Sequence, residues 1–154
     1  MSSTPEERLA ELGIELPSPP RPVAAYIPAK RYGSMIQISG QIPMREGKLI
    51  ATGIVPSEVM LADAVACARQ CALNALAVLK SEIRELSNVK NVVRLGGFVA
   101  ADPWFSDHPE VINGASELML EVFGESGRHA RAAVGVASLP LHAPVEIEFL
   151  FELG

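Results

Sequence analysis

From Leu61 to Leu79 the apolar and small residues recur at three- and four-residue spacing: Leu61, Ala64, Val65, Ala68, Cys71, Ala72, Ala75, Leu76 and Leu79. That period places them on one face of a helix, expected over about Glu58 to Glu85. Four of the nine are alanine, so the face is thin. A thin helix face buries well only where the backbone can come close to a flat partner, and a β-sheet is such a partner.

The strand signals lie on either side. SMIQISGQIP alternates Met35, Gln37 and Ser39 against Ile36 and Ile38, the period of a strand with one buried face, ending near Gly40. EGK at 46–48 reads as a tight turn, with LIATGIV returning as a shorter strand. VKNVVRLGGFVAA, 89–101, is β-branched and apolar and reads as a third strand. A second helix is predicted from Pro109 to Phe123, with Asp107 as its cap, Glu110 completing a capping box and Gly124 as its stop. HARAAVGVASLPLHAPVEIEFLFEL, 129–153, supplies two more strands joined by a Pro-containing turn. The order β, β, α, β, α, β, β predicts an α+β fold, a mixed sheet with both long helices packed on one face. The other face must be polar or covered, and with VGVASL and FLFEL in its strands, other copies of the chain are the expected cover.

Ahead of this, Thr4, Pro5 and Glu7 form a capping-box pattern that opens a short helix through Leu12, closing at Gly13. LPSPPRPVAAY, 16–26, has four prolines and is expected to be an extended connection. The expected organisation is an N-terminal arm and connection over 1–21 and a single domain over 22–154. The length of 154 residues fits one domain.

Composition excludes several classes. Thirteen basic against eighteen acidic residues, net charge -5, leave no cationic footprint for a phosphate backbone, and 5% aromatic content leaves few rings on which bases could stack. No nucleic-acid partner is expected. The N-terminus MSSTPEERLAEL lacks the basic-then-apolar order of a signal peptide, and no run of about 18 uninterrupted apolar residues occurs, so a cytoplasmic protein without a membrane partner is expected. Cys67 and Cys71 read as core residues. No Walker loop, GxGxxG, HExxH, CxxC or GxSxG is present, and His108, His129 and His142 show no metal-ligand spacing. No metal or cofactor is expected.

Two charged residues stand inside the closing strand patterns. Arg131 shares a face with His129, and Glu146 shares one with Glu148, opposite Val145, Ile147 and Phe149. If the two strands pair as a hairpin, Arg131 and Glu146 share one side of the sheet. The pair then reads in two ways: a cross-strand salt bridge, or a site in which the planar guanidinium holds a carboxylate ligand and Glu146 orients a water beside it.

SGQIP at 39–43 following GSMIQI, with Arg131, LP at 139–140 and VEIE at 145–148, resembles the reactive-intermediate deaminase family, also called YjgF-like or endoribonuclease L-PSP-like. The resemblance covers roughly residues 22–152. It implies a chorismate-mutase-like fold, a homotrimer around a central barrel, and ligand clefts between adjacent subunits. It also implies that Arg131 binds the carboxylate of a 2-imino acid or its enamine tautomer and that Glu146 serves the hydrolytic water. By the same resemblance Tyr26, Ser39 and Asn113 fall at substrate-binding positions of the cleft. The product would be a 2-keto acid and ammonia. AAYIPA replaces the family's Gly-Pro-Tyr-Ser-Gln opening and GASELMLEVF follows Asn113 where aromatic residues are usual, which marks a divergent branch. A non-catalytic, small-carboxylate-binding or chaperone-like trimer is the alternative, and an endoribonuclease ranks below both.

Overall fold

The computed structural model describes residues 3–22 and 24–154; Val23, in the expected proline-rich connection, lies outside the described residues. A short helix α1 (Pro5–Glu11) carries the full capping box: the Thr4 hydroxyl accepts from the Glu7 amide, and the Glu7 carboxylate accepts from the Thr4 amide. It is tied to the body by Arg8, which donates to the Val122 carbonyl, and by Glu6, which meets Lys80 and the Leu86 amide.

Four strands precede the long helix: β1 (Ala29–Tyr32), β2 (Met35–Gln41), β3 (Met44–Arg45) and β4 (Lys48–Leu49). The helix α2 (Leu61–Ile83) leads to β5 (Val89–Ala100), then α3 (His108–Phe123), β6 (Ala130–Val136) and β7 (Val145–Leu153). The five main strands lie in the order β1-β2-β7-β5-β6. β5 runs parallel to β6 and antiparallel to β7, so the sheet is mixed.

Several expectations are corrected. β1 was not expected: AKRY is an edge strand whose last three residues are exposed, so it shows no apolar period. LIATGIV contracts to Lys48–Leu49, because Gly53 adopts a φ of 125° and Val55 makes only a single bridge, to Ala101. α2 begins at Leu61, since the Glu58 carboxylate turns back to accept from the Ile54 amide and holds the preceding turn outside the helix. Asp107 sits at the N-cap of α3, but no side-chain capping bond forms there; its own carbonyl accepts from the Glu110 and Val111 amides. β6 and β7 are not a hairpin, because β5 lies between them. The predicted stop of α3 at Gly124 holds, with a φ of 61°.

Both long helices lie on one face. Ile36, Ile38, Leu95, Ile147, Phe149 and Phe151 point from the sheet into a single core, met by Ala68, Cys71, Ala75 and Leu76 of α2 and by Ile112, Ala115 and Leu118 of α3. The two helices also touch backbone to side chain: a Cβ added at Gly114 would run into the Val65 carbonyl. Only Gly allows α3 to approach this closely, and that approach fixes where the first turns of α3 stand over β6. Cys67 and Cys71 are buried, and burial pushes the Cys67 thiol up to about 11 and that of Cys71 well above its ordinary range, which makes them packing residues. Of the described residues only α2 has the length and hydropathy of a membrane span, and 61% of that stretch is buried within the fold.

Candidate functional site

Arg131 is the second residue of β6 and pairs in register with Leu95, which in turn pairs with Phe149. All three therefore face the helices. At the sheet edge the Arg131 side chain reaches not the core but one face of α3, where Pro109, Asn113 and Ser116 stand at spacings of four and three residues. Nη1 donates to Asn113 Oδ1 at 2.8 Å and to Ser116 Oγ at 3.0 Å; Nη2 donates to the Pro109 carbonyl at 3.0 Å. Partial burial lowers the pKa of the guanidinium, from a value so high that the group stays charged.

Behind it, His129 Nδ1 lies 2.7 Å from the Gly127 carbonyl and Nε2 lies 2.8 Å from Ser116 Oγ. Burial pulls the imidazole pKa below its usual 6.5, outweighing the opposite pull of the hydrogen bond to the Gly127 carbonyl, and the nearby Arg131 charge adds a lesser downward pull. His108 lies elsewhere, edge-on to Phe105, and His142 lies 3.6 Å from Glu58. Among the described residues no three His, Cys, Asp or Glu side chains are placed to hold a metal ion.

Glu146 lies on the opposite side of the sheet. It pairs with Phe98, and its neighbours Val145 and Ile147 point to the core, so its carboxylate faces away from the helices. There it lies directly over Gly40, where an added Cβ would collide with the carboxylate. The bulge in the β2–β7 ladder between Ile38 and Gln41 opens this spot. Burial, and secondarily the charge of Glu148, raise the pKa of Glu146 above the usual 4.5.

Glu146, Gly40, Gln41, Pro140 and Tyr26 line a small cleft open to solvent, with Arg21 from the proline-rich connection also on its wall. Ser39 does not line it. Its hydroxyl donates to the Ile27 carbonyl at 2.7 Å and its amide to the Pro28 carbonyl at 2.9 Å, which fixes the segment that carries Tyr26. Ile42 and Met44 also line the cleft, and buried Asn74 of α2 donates to the carbonyls of both, holding the chain that leaves β2.

The candidate residues thus form two groups. Arg131 and Asn113 are in contact on the helix side of the sheet edge, while Tyr26 and Glu146 share a cleft on the open side, with Ser39 supporting it. Arg131 and Glu146 are two strands apart, about 10 Å across the sheet, and offset by three residues, about 10 Å along it, on opposite faces. Neither the cross-strand salt bridge nor a shared site within one chain fits this arrangement. Sequence reading did not find Ser116, Gln41 or Arg21. Ser116 was within reach, since it completes with Pro109 and Asn113 a polar stripe at helical spacing.

A mixed five-stranded sheet with two helices on one face, and an arginine and a glutamate displayed on its two sides, defines a small α+β domain of the chorismate-mutase-like type. The chain belongs to the YjgF/chorismate mutase-like family, which also goes under an endoribonuclease name, and whose model matches residues 6–153. Protein TCP17 of Trypanosoma cruzi is 41% identical over 147 residues, covering 95% of this chain and 92% of that one. A 2-iminobutanoate/2-iminopropanoate deaminase of Dermatophagoides farinae is 33% identical over 137 residues, covering 88% of this chain and 91% of the relative. Among solved structures, Agrobacterium tumefaciens Atu1372, a protein of unknown function, matches with a TM-score of 0.89 at 46% identity, covering 97% of this chain and 92% of that one.

Proposed function

We propose that the protein hydrolyses small 2-imino acids, or their enamine tautomers, to 2-keto acids and ammonia, at clefts completed by two copies of the chain within a homotrimer. The observation that carries this reading is the state of Arg131. Three of the five N–H donors of a guanidinium are taken by Asn113, Ser116 and Pro109, leaving two for a ligand, as many as a bidentate carboxylate accepts. The similarity to the mite deaminase supports the choice of substrate class.

In this reading Arg131 and Asn113 of one copy face the cleft formed by Tyr26, Gly40 and Glu146 of the next. The substrate carboxylate is clamped by Arg131, which fixes the C=N carbon relative to the second copy. Glu146, its pKa raised by burial, takes a proton from the attacking water as the new C–O bond forms and the C=N π electrons pass to the nitrogen of the protonated imine. It then returns that proton to the nitrogen of the carbinolamine; as the C–N bond breaks and ammonia leaves with its electron pair, the hydroxyl gives its proton to the freed Glu146 carboxylate and becomes the keto C=O. Because imines already hydrolyse in water, orientation and the carboxylate clamp provide most of the acceleration. The partly exposed, mixed apolar and polar sheet face, with Val134 44% exposed beside half-buried Phe98 and with Leu150 half-buried further along, fits burial against other copies. A scavenger of imines released by other enzymes would act in the cytoplasm.

The test is hydrolysis of 2-imino acids generated in situ by an amino-acid oxidase, with oligomeric state measured in parallel. Acceleration by the wild type and its loss in Arg131→Ala, with the trimer retained, supports the deaminase. Binding of 2-keto acids without any acceleration of imine loss would instead identify a non-catalytic carboxylate-binding trimer.

A further inference from the structure

The hydrogen bonds behind Arg131 have only one consistent direction. The Gly127 carbonyl can only accept, so His129 Nδ1, at 2.7 Å, carries the proton. In the neutral ring Nε2 is then a lone pair, and the Ser116 hydroxyl, at 2.8 Å, donates to it. With its proton committed, Ser116 Oγ offers lone pairs toward Arg131 Nη1 at 3.0 Å. Each link fixes the next, from a backbone carbonyl in the turn before β6 to the guanidinium.

We propose that Ser116 and His129 are positioning residues that lock the rotation of the Arg131 guanidinium, so that a ligand carboxylate is accepted along one edge only. Asn113 and Ser116 together take both hydrogens of Nη1, and Pro109 takes one from Nη2. The two donors left are Nε–H and the second Nη2–H. These lie side by side on one edge of the planar fork when Pro109 takes the Nη2 hydrogen nearer Nη1, and that edge matches the two oxygens of a planar carboxylate. Remove the Ser116 acceptor and an Nη1 hydrogen is released, so the end of the fork competes with its side for the ligand. The ligand class is therefore a single planar carboxylate. A tetrahedral phosphonate finds no third donor on this group.

This inference rests on the carboxylate-binding role of Arg131, and the test separates the two. The probe is 2-oxobutanoate, titrated calorimetrically, together with kcat and KM for 2-iminobutanoate. Ser116→Ala and His129→Phe are expected to raise Kd and KM on the order of tenfold, the size of one hydrogen bond to a charged group, with kcat little changed. Ser116→Thr, which keeps the hydroxyl, is expected to restore binding. In an Arg131→Lys background Ser116→Ala should have no further effect. If Arg131→Ala abolishes binding while Ser116→Ala and His129→Phe do not weaken it, the relay is wrong and the function stands. If wild type does not bind 2-oxobutanoate, both fail. A measurement without variants guards against misfolding: long-range nitrogen–proton NMR of His129 should show the Nδ1–H tautomer, and an Nε2–H tautomer overturns the relay.

Discussion

Arg131 and Glu146 project from opposite faces of one sheet, with β5 between their strands, so a single chain cannot bring the two to one substrate. Two inactive variants should therefore rescue each other. Subunits carrying Arg131→Ala and subunits carrying Glu146→Gln, each inactive alone, should on unfolding and reassembly as a one-to-one mixture recover roughly a quarter of wild-type imine hydrolysis, because random assembly around a closed ring gives one intact cleft in four. Zero recovery, with mixed trimers verified by native mass spectrometry, would mean that the site does not lie between copies.

Glu146 should make both rate and stability depend on pH. Its folded pKa is raised above 4.5, so in the window between 4.5 and the raised value the native state binds more protons than the unfolded state. Stability from this group is then full below 4.5 and declines as pH rises through the folded value. Glu146→Gln should accordingly raise Tm relative to wild type near neutrality and not well below 4.5. In its proposed role as base the carboxylate must be ionised, so kcat/KM should fall on the acid side with an apparent pKa above 4.5. A Glu146→Gln protein with unchanged Tm at both pH extremes would argue that the carboxylate is not desolvated.

Gly40→Ala should separate catalysis from folding. The new methyl meets the flexible end of the Glu146 side chain and not backbone, so the fold can adjust by moving the carboxylate. Expected is a Tm loss of only a few degrees, on the scale of about 1 kcal/mol, with kcat reduced far more than KM is raised. The measurement is a Tm scan beside steady-state kinetics; a loss confined to KM would place Glu146 in binding.

Gly114→Ala should do the reverse. Here the methyl would meet the Val65 carbonyl, which cannot swing aside, so α3 must move away from α2. A cost of about 1–3 kcal/mol is expected from denaturant unfolding, and carboxylate affinity should fall as well because Pro109, Asn113 and Ser116 travel with the helix. Unchanged stability would show that the two helices tolerate separation.

How far the sequence could be read depended on whether an element announces itself locally. α2 has a clean 3.6-residue period and β7 a clean period of two, and both stand where they were expected, α2 with a later start. β1 shows no such pattern because an edge strand with exposed lysine, arginine and tyrosine has nothing to bury. The β6–β7 hairpin failed for a different reason: proximity in sequence favours pairing, but β5, largely buried toward its end, sits between them and pairs along both edges. The site divided along the same line. Residues on one strand or one helix could be placed on a face from spacing alone, as with His129 and Arg131. That Ser116 bridges those two depends on how α3 lies over β6, which is set by Gly114 and the core, far from the residues it serves.

α3 has two masters. One side of it, through Ile112, Ala115 and Leu118, is gripped by the core, and another, through Pro109, Asn113 and Ser116, grips the arginine. A change of one methylene beneath the helix that slides it by a fraction of a turn would re-aim the guanidinium while leaving every residue of the cleft intact. The aim of the arginine in a domain built this way can drift through changes in its close-packed interior, and two proteins with the same residues around their clefts need not present the guanidinium alike.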